Sequence, residues 1–411
     1  MITDDRLLYD VLAIATALLL LSWFVVGLVR ITVGRRPALR LGHVLAVAAV
    51  ARVATAALFA AVPSLRPLRG PDETLWLHLS DRLTQDAGAL GAIPDALGGN
   101  LHVVYMAIWQ LAFDATSDFP LRVGHIALSL AAIAVIAVAV TDLAGVRAGL
   151  ASGWILALEP NNVFFSGILH KEAPMLLGEA IVILGAVRMY QRRDVPALLL
   201  MLVGLSIAGM TRPYAGAALA VACMAVCAHA ALRPLGRERA RAPRLAVAVA
   251  LAAGVALLAA PAPSAILDRL QSSQNANATD SSNLGLDPVD FSSVPTTIMN
   301  IGPRISALLL QPYPWQVANM SQRFGVVGTL VAWTLLLMTL VLVATRFPVA
   351  RARLPPLLYV VVLLAIAYAL SAGNAGTGFR YRTHLLVGIT ATMSTLVFVS
   401  RPEPLRYGSD E

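Results

Sequence analysis

The residues able to do chemistry in this chain sit in short polar turns between long apolar runs. Asp72 and Glu73 stand side by side in Gly70-Pro71-Asp72-Glu73. Adjacent carboxylates near a membrane surface can supply a general base, a metal ligand or an acceptor-binding group, and burial strengthens a carboxylate's hold on its proton. A solvated acidic turn is the plainer alternative. His78 follows and either shares that site or sits at the interface. Glu159-Pro160-Asn161-Asn162, Ser166 and His170-Lys171-Glu172 interrupt an otherwise apolar stretch. Lys171 is the only lysine, and a compact ammonium suits a phosphate, although a Lys–Glu pair also caps a helical turn. Arg212-Pro213-Tyr214 joins two apolar runs, where the arginine caps a helix or holds a lipid headgroup. Arg304 and Arg323 flank Pro312-Tyr313-Pro314-Trp315. In Asn374-Ala375-Gly376-Thr377-Gly378-Phe379-Arg380-Tyr381-Arg382, the glycines permit close backbone approach, and two arginines around a tyrosine suit a phosphate with a sugar stacked nearby.

Asp72 and Glu73 are therefore the catalytic candidates. The substrate-binding candidates are His78, Glu159, Asn162, His170, Lys171, Glu172, Arg212, Tyr214, Arg304, Tyr313, Trp315, Arg323, Arg380, Tyr381 and Arg382. Acidic groups early in the chain face arginines and a lysine later in it. That pairing suits transfer of a group from a lipid phosphate: cations stabilise the departing phosphate, and a carboxylate takes a proton from an incoming hydroxyl. There is no His/Cys metal-ligand pattern, phosphate loop or nucleophile elbow. The paired carboxylates permit a divalent cation such as Mg2+, but no ligand spacing demands one.

The elements that must position these residues are membrane helices. Of the 411 residues, 58% are hydrophobic and 13% charged, about half the charged share of a soluble domain. Mean hydropathy is +0.74. The expected fold is an all-α, polytopic helical bundle forming one domain over 1–411. Spans are expected near 9–28, 41–63, 119–141, 148–168, 172–190, 195–211, 214–232, 245–262, 324–345, 355–372 and 383–400, about eleven in all. Leu101–Phe113 is apolar but short, and is expected at the interface, inside a first outer loop of 64–118 that carries the catalytic pair. A second outer loop, 263–323, is polar and expected to be partly mobile, with its Pro-Tyr-Pro-Trp segment an interfacial anchor.

Arginines cluster at 30–40, 188–193, 233–244, 346–353 and 401–406. Placing every cluster in the cytoplasm satisfies the positive-inside rule, with the N-terminus outside, the C-terminus inside and the polar turns on the extracytoplasmic face. The net charge of +8 thus reads as topology and lipid contact, not nucleic acid. The setting expected is a bacterial cytoplasmic membrane. Cys223 and Cys227 lie in one apolar run and are expected to be buried thiols. Arg52 and Glu179 fall within spans, where each pairs inside the bundle or snorkels.

These residues resemble the GT-C class of membrane glycosyltransferases, which use polyprenyl-phosphate-linked sugars and include protein O-mannosyltransferases and the aminoarabinose transferases of lipid A. The resemblance rests on Gly70-Pro71-Asp72-Glu73, where the class keeps its acidic motif, on Arg122 opening the next span, and on the Glu159–Glu172 stretch. Arg212-Pro213 and Arg380-Tyr381-Arg382 are similar to turns in bacterial relatives. It covers most of the layout but few motifs, and an additional first span departs from the class. It implies inverting transfer of a sugar from a polyprenyl-phosphate donor to a lipid, glycan or protein acceptor. Asp72 would be the base, assisted by Glu73, and Lys171, Arg212, Arg380 and Arg382 would hold the lipid phosphate. Two other readings stay open. One is a polysaccharide polymerase or ligase acting on undecaprenyl-diphosphate-linked glycan, and the other is a lipid or solute transporter.

Overall fold

In the computed structural model the described residues are 4–35, 40–85, 100–113, 117–232, 290–291, 293–317 and 320–399, with five positions between 268 and 275. Most of them are helical, with no strand among them. In chain order the helices are α1 (Asp4–Arg35), α2 (Gly42–Ala61), a 3-10 turn (Pro63–Arg69), α3 (Pro71–Gln85), α4 (Leu101–Phe113), α5 (Phe119–Ala144), α6 (Val146–Leu158), α7 (Pro160–Ser166), α8 (Glu172–Arg192), α9 (Val195–Thr211), α10 (Pro213–Leu232), α11 (Val294–Leu310), α12 (Met320–Thr345), α13 (Phe347–Arg353), α14 (Pro355–Ser371) and α15 (Ala375–Phe398).

Six of these helices are long and apolar enough to cross a membrane: α1, α2, α5, α8, α10 and α12. A seventh span results if α13 and α14, bent by 86° at Leu354, act as one. The difference from eleven has identifiable causes. The expected span at 148–168 is two helices broken at Glu159-Pro160. Proline removes a backbone donor and clashes with the preceding turn. The span at 195–211 has only 17 residues. The last, α15, has 24 residues but carries Arg380, Arg382, His384 and several threonines and serines. Nearly all of its side chains beyond Tyr381 are buried, so neighbouring helices rather than lipid surround it. The expected span at 245–262 lies outside the described residues, as do the arginines of 233–244 and 401–406 and most of the segment expected to be mobile.

Burial sorts the helices. The apolar stretch of α8 is 83% buried and that of α5 78%, whereas that of α1 is 17% buried. Trp23, Leu19 and Leu20 of α1 are exposed, as lipid-facing side chains are. At the centre α8 packs on α5 and α9, while α10 and α14 pair and α15 packs on α12, α6 and α14. Cys223 and Cys227 are free and buried.

The ends of the bundle differ in chemistry. The Tyr190 hydroxyl donates to the Ala352 carbonyl, and Arg346 donates to the Leu396 carbonyl. These contacts gather the arginines of 188–193 and 346–353 at one end. The polar turns at 70–73, 167–172, 211–214 and 371–382 follow from chain direction at the opposite end.

Candidate functional site

Three polar layers occupy that opposite end. The first fixes the start of α3. Gly70 has φ of 75°, a left-handed conformation that glycine adopts without a Cβ penalty. It turns the chain from the 3-10 helix into Pro71, which opens α3. Glu73, next but one, is buried under donors. Arg122 gives it two hydrogen bonds, Nη1 to Oε2 at 3.2 Å and Nη2 to Oε1 at 2.5 Å. Arg69 Nη1 donates to Oε1 at 3.2 Å, and the Leu169 backbone N–H donates to Oε2 at 2.9 Å. Arg122 also donates to Asp118 at 2.6 Å and to the Gly167 carbonyl at 2.8 Å. Glu73 is thereby the knot tying α3 to α5 and to the turn before α8. With both oxygens engaged, it is built to position its neighbour.

That neighbour, Asp72, turns the other way and heads the second layer. Its carboxylate receives Arg380 Nη1 at 2.5 Å, and both side chains are part-exposed, 37% and 24%. Burial alone would raise the Asp72 carboxyl; the charge and hydrogen bond of Arg380 overturn this and hold it below the usual carboxylate range. His170, Lys171, Glu172 and Arg212 lie within electrostatic reach behind this pair. Glu172 accepts from Arg212 Nη2 at 2.5 Å. Lys171 donates to Asn100 Oδ1 at 2.9 Å and sits over the Trp76 ring, 4.5 Å from its centroid. Burial, and then the nearby Arg212 charge, bring its ammonium down to about 8. The Arg212 guanidinium lies 5.0 Å from the Tyr381 ring centroid. The Tyr214 hydroxyl donates to that of Tyr381 at 2.7 Å.

From Arg212 a chain of contacts descends into the bundle. Arg212 Nη1 donates to His384 Nε2 at 3.2 Å. The opposite ring nitrogen, Nδ1, then carries the proton and faces Glu179 Oε2 at 3.3 Å. Glu179 lies seven residues into α8, roughly 10 Å deeper than Glu172 at ~1.5 Å per residue. It pairs inside the bundle, one of the two fates expected for it.

The third layer lies at the break between α6 and α7. Glu159 caps the N-terminus of α7, accepting from the backbones of Asn161 at 3.0 Å and Asn162 at 2.7 Å and from the Asn162 side chain at 2.9 Å. Arg52, fully buried, caps the other side of the break. It donates to the carbonyls of Ala157 at 2.9 Å and Leu156 at 3.1 Å, and to Ser129 at 3.0 Å. A carboxylate on an N-terminus and a guanidinium on a C-terminus each complement the helix dipole. Arg382 joins this layer through its charge on Glu159. It donates to Thr329 Oγ1 at 2.8 Å and to the carbonyls of Leu309 at 3.1 Å and Gln311 at 3.0 Å, fastening the end of α11.

The structure therefore brings Asp72, His170, Lys171, Glu172, Arg212, Tyr214, Arg380 and Tyr381 into one cluster, with Glu73 buttressing it. Glu159, Asn162 and Arg382 belong to the deeper layer. Arg380 and Arg382 separate because residues two apart on a helix point to opposite sides. His78 is exposed on α3 and Arg323 on α12, while Arg304 is buried in α11. Tyr313 and Trp315 stack on each other at 4.9 Å, with Trp315 75% exposed. Sequence reasoning missed His384, although its place four residues after Arg380 on the same helix face was legible. It also missed Arg69, Asp118, Trp76 and Asn100, which carry no local signal. Among the described residues no group of three or more His, Cys, Asp or Glu could hold a metal ion. No family model, curated protein or solved structure matches this chain.

Proposed function

We propose that the protein is a membrane glycosyltransferase that moves a sugar from a polyprenyl-phosphate donor to a lipid, glycan or protein acceptor on the extracytoplasmic face. The observation that carries this reading is the convergence of Lys171, Arg212 and Arg380 with Asp72 and Glu172 at the end of the bundle away from the arginine-rich turns. With histidines neutral, that cluster holds three cations against two carboxylates. The surplus positive charge suits a phosphodiester, which carries one negative charge. The part-exposed Asp72–Arg380 pair forms its mouth. A donor phosphate competes for Arg380, with Lys171 as the second cation, and frees Asp72 to meet the acceptor hydroxyl. Arg382 holds α11 in place, while the GT-C resemblance supplies the reaction type.

The test is binding of polyprenyl phosphate to the protein in nanodiscs, followed by thermal stabilisation. Arg380→Ala should weaken binding about tenfold or more, the worth of one charge-assisted contact, whereas Arg323→Ala should not. Equal binding by both variants contradicts the placement. The broken α6–α7 span and the buried Arg212–His384–Glu179 chain favour a second reading, a transporter, since such features line substrate paths. Solute or lipid movement by the purified protein with no donor consumed would select it.

A further inference from the structure

The His170 ring is fixed at one nitrogen and open at the other. Nε2 lies 2.7 Å from the Arg69 carbonyl oxygen, which only accepts, so Nε2 carries the ring proton. In the neutral ring Nδ1 is then a bare lone pair. It is buried and has no hydrogen-bond partner among the described residues. It faces Glu172 Oε2, 3.9 Å away, a second buried acceptor without a hydrogen-bond partner there. Two buried acceptors set against each other call for an O–H or N–H donor between them.

The surroundings keep the ring neutral. Asp72 and Glu73 face it from α3, Lys171 and Glu172 from the start of α8, and Arg380 from α15. His125 of α5 holds the backbone, its Nε2 3.2 Å from the His170 carbonyl. Burial, followed by the Arg380 charge, keeps His170 below the ordinary histidine range although the three carboxylates pull the other way. Asp72 is a weaker base beside Arg380, and Glu73 is saturated with donors.

Resting on the transfer reading above, we infer that His170 is the catalytic base, with Glu172 pairing the imidazolium that forms and Asp72 orienting the incoming hydroxyl. As the acceptor oxygen bonds to the anomeric carbon, its proton passes to Nδ1. The bond from that carbon to the phosphate oxygen breaks, leaving its electron pair on the oxygen. The donor phosphodiester, with one negative charge, departs as a monoester with two, against Lys171 and Arg380. The imidazolium then releases its proton to solvent. This reassigns the proton that the sequence pattern gave to Asp72.

Two measurements test it. In His170→Gln, donor binding should stay within about twofold while kcat falls ~10²–10⁴-fold. The loss of wild-type kcat as pH drops below the ordinary histidine range should also vanish. Wild-type kcat in this variant, or a persisting acid limb, overturns the inference. The second measurement needs no variant: solid-state NMR of wild-type protein carrying 15N-histidine and 13C-carbonyl arginine. The ring in contact with an arginine carbonyl at Nε2 should show a bare Nδ1 at pH 7.5. A protonated Nδ1 in protein that turns over donor overturns the base alone. A bare Nδ1 in protein that consumes no donor overturns the transfer reading, and the base with it.

Discussion

Arg122→Met should destabilise the protein severely. Arg122 is completely buried, and its guanidinium donates to Glu73 twice, to Asp118 and to the Gly167 carbonyl. Removing one partner of a buried ion pair costs about 3–5 kcal/mol, because the other charge is left uncompensated. Arg69 still donates to Glu73 and Asp118, which places the expected loss at about 3 kcal/mol, the lower end of that range. Glu73→Gln keeps an acceptor for the Leu169 N–H and should cost about 2 kcal/mol. In the double variant the orphaned charge is gone, so its cost should fall short of the sum by at least about 1 kcal/mol. Reversible SDS unfolding in mixed micelles, followed by tryptophan fluorescence, measures all three. A loss below about 1 kcal/mol for Arg122→Met, or strict additivity, would refute the claim that Glu73 is a structural knot.

Three further outcomes follow from the same geometry. Donor affinity should fall as pH rises through about 8, where Lys171 loses its proton; Lys171→Arg should remove that alkaline limb in a binding titration, and its persistence would place the titration elsewhere. Gly70→Ala should cost about 1 kcal/mol or more, since an L side chain is strained at φ of 75°, and should lower kcat by displacing Asp72; unchanged melting and turnover would contradict this. Arg52→Met should lower stability by about 2–4 kcal/mol, because it leaves the Leu156 and Ala157 carbonyls uncapped at the helix break; a loss under 0.5 kcal/mol in the same SDS titration would show that the cap contributes little.

The helical, membrane-embedded class was legible in the apolar runs, because spans are read by length and hydropathy alone. Helix existence was accurate at α2, α5, α8, α10 and α12, where runs are long and uninterrupted. It was less accurate where polar residues serve the interior. Pro160 was visible in the sequence, but the break it makes depends on Arg52, over a hundred residues away, to cap the exposed carbonyls. The polar α15 resists hydropathy reading because burial by other helices, not apolarity, keeps it in the bundle. At the site, rare charges among apolar residues pointed to Asp72, Lys171, Arg212 and Arg380. Spacing did not reveal that adjacent Asp72 and Glu73 have opposite surroundings, or that Arg380 and Arg382 serve different layers. Both distinctions arise from helix phase at the N-termini of α3 and α15, and the nine-residue polar motif before Thr383 did not specify that phase.

The most direct test of the central claim is donor turnover. Wild-type protein in nanodiscs is incubated with a panel of polyprenyl-phosphate sugars and a membrane-lipid and glycan extract, beside Asp72→Ala and a surface control, Arg323→Ala. The account predicts release of polyprenyl phosphate by the wild type and the control, and loss of at least ~10²-fold in Asp72→Ala with its fold intact. No release from any donor by folded, lipid-bound wild type, or full release by Asp72→Ala, would contradict it.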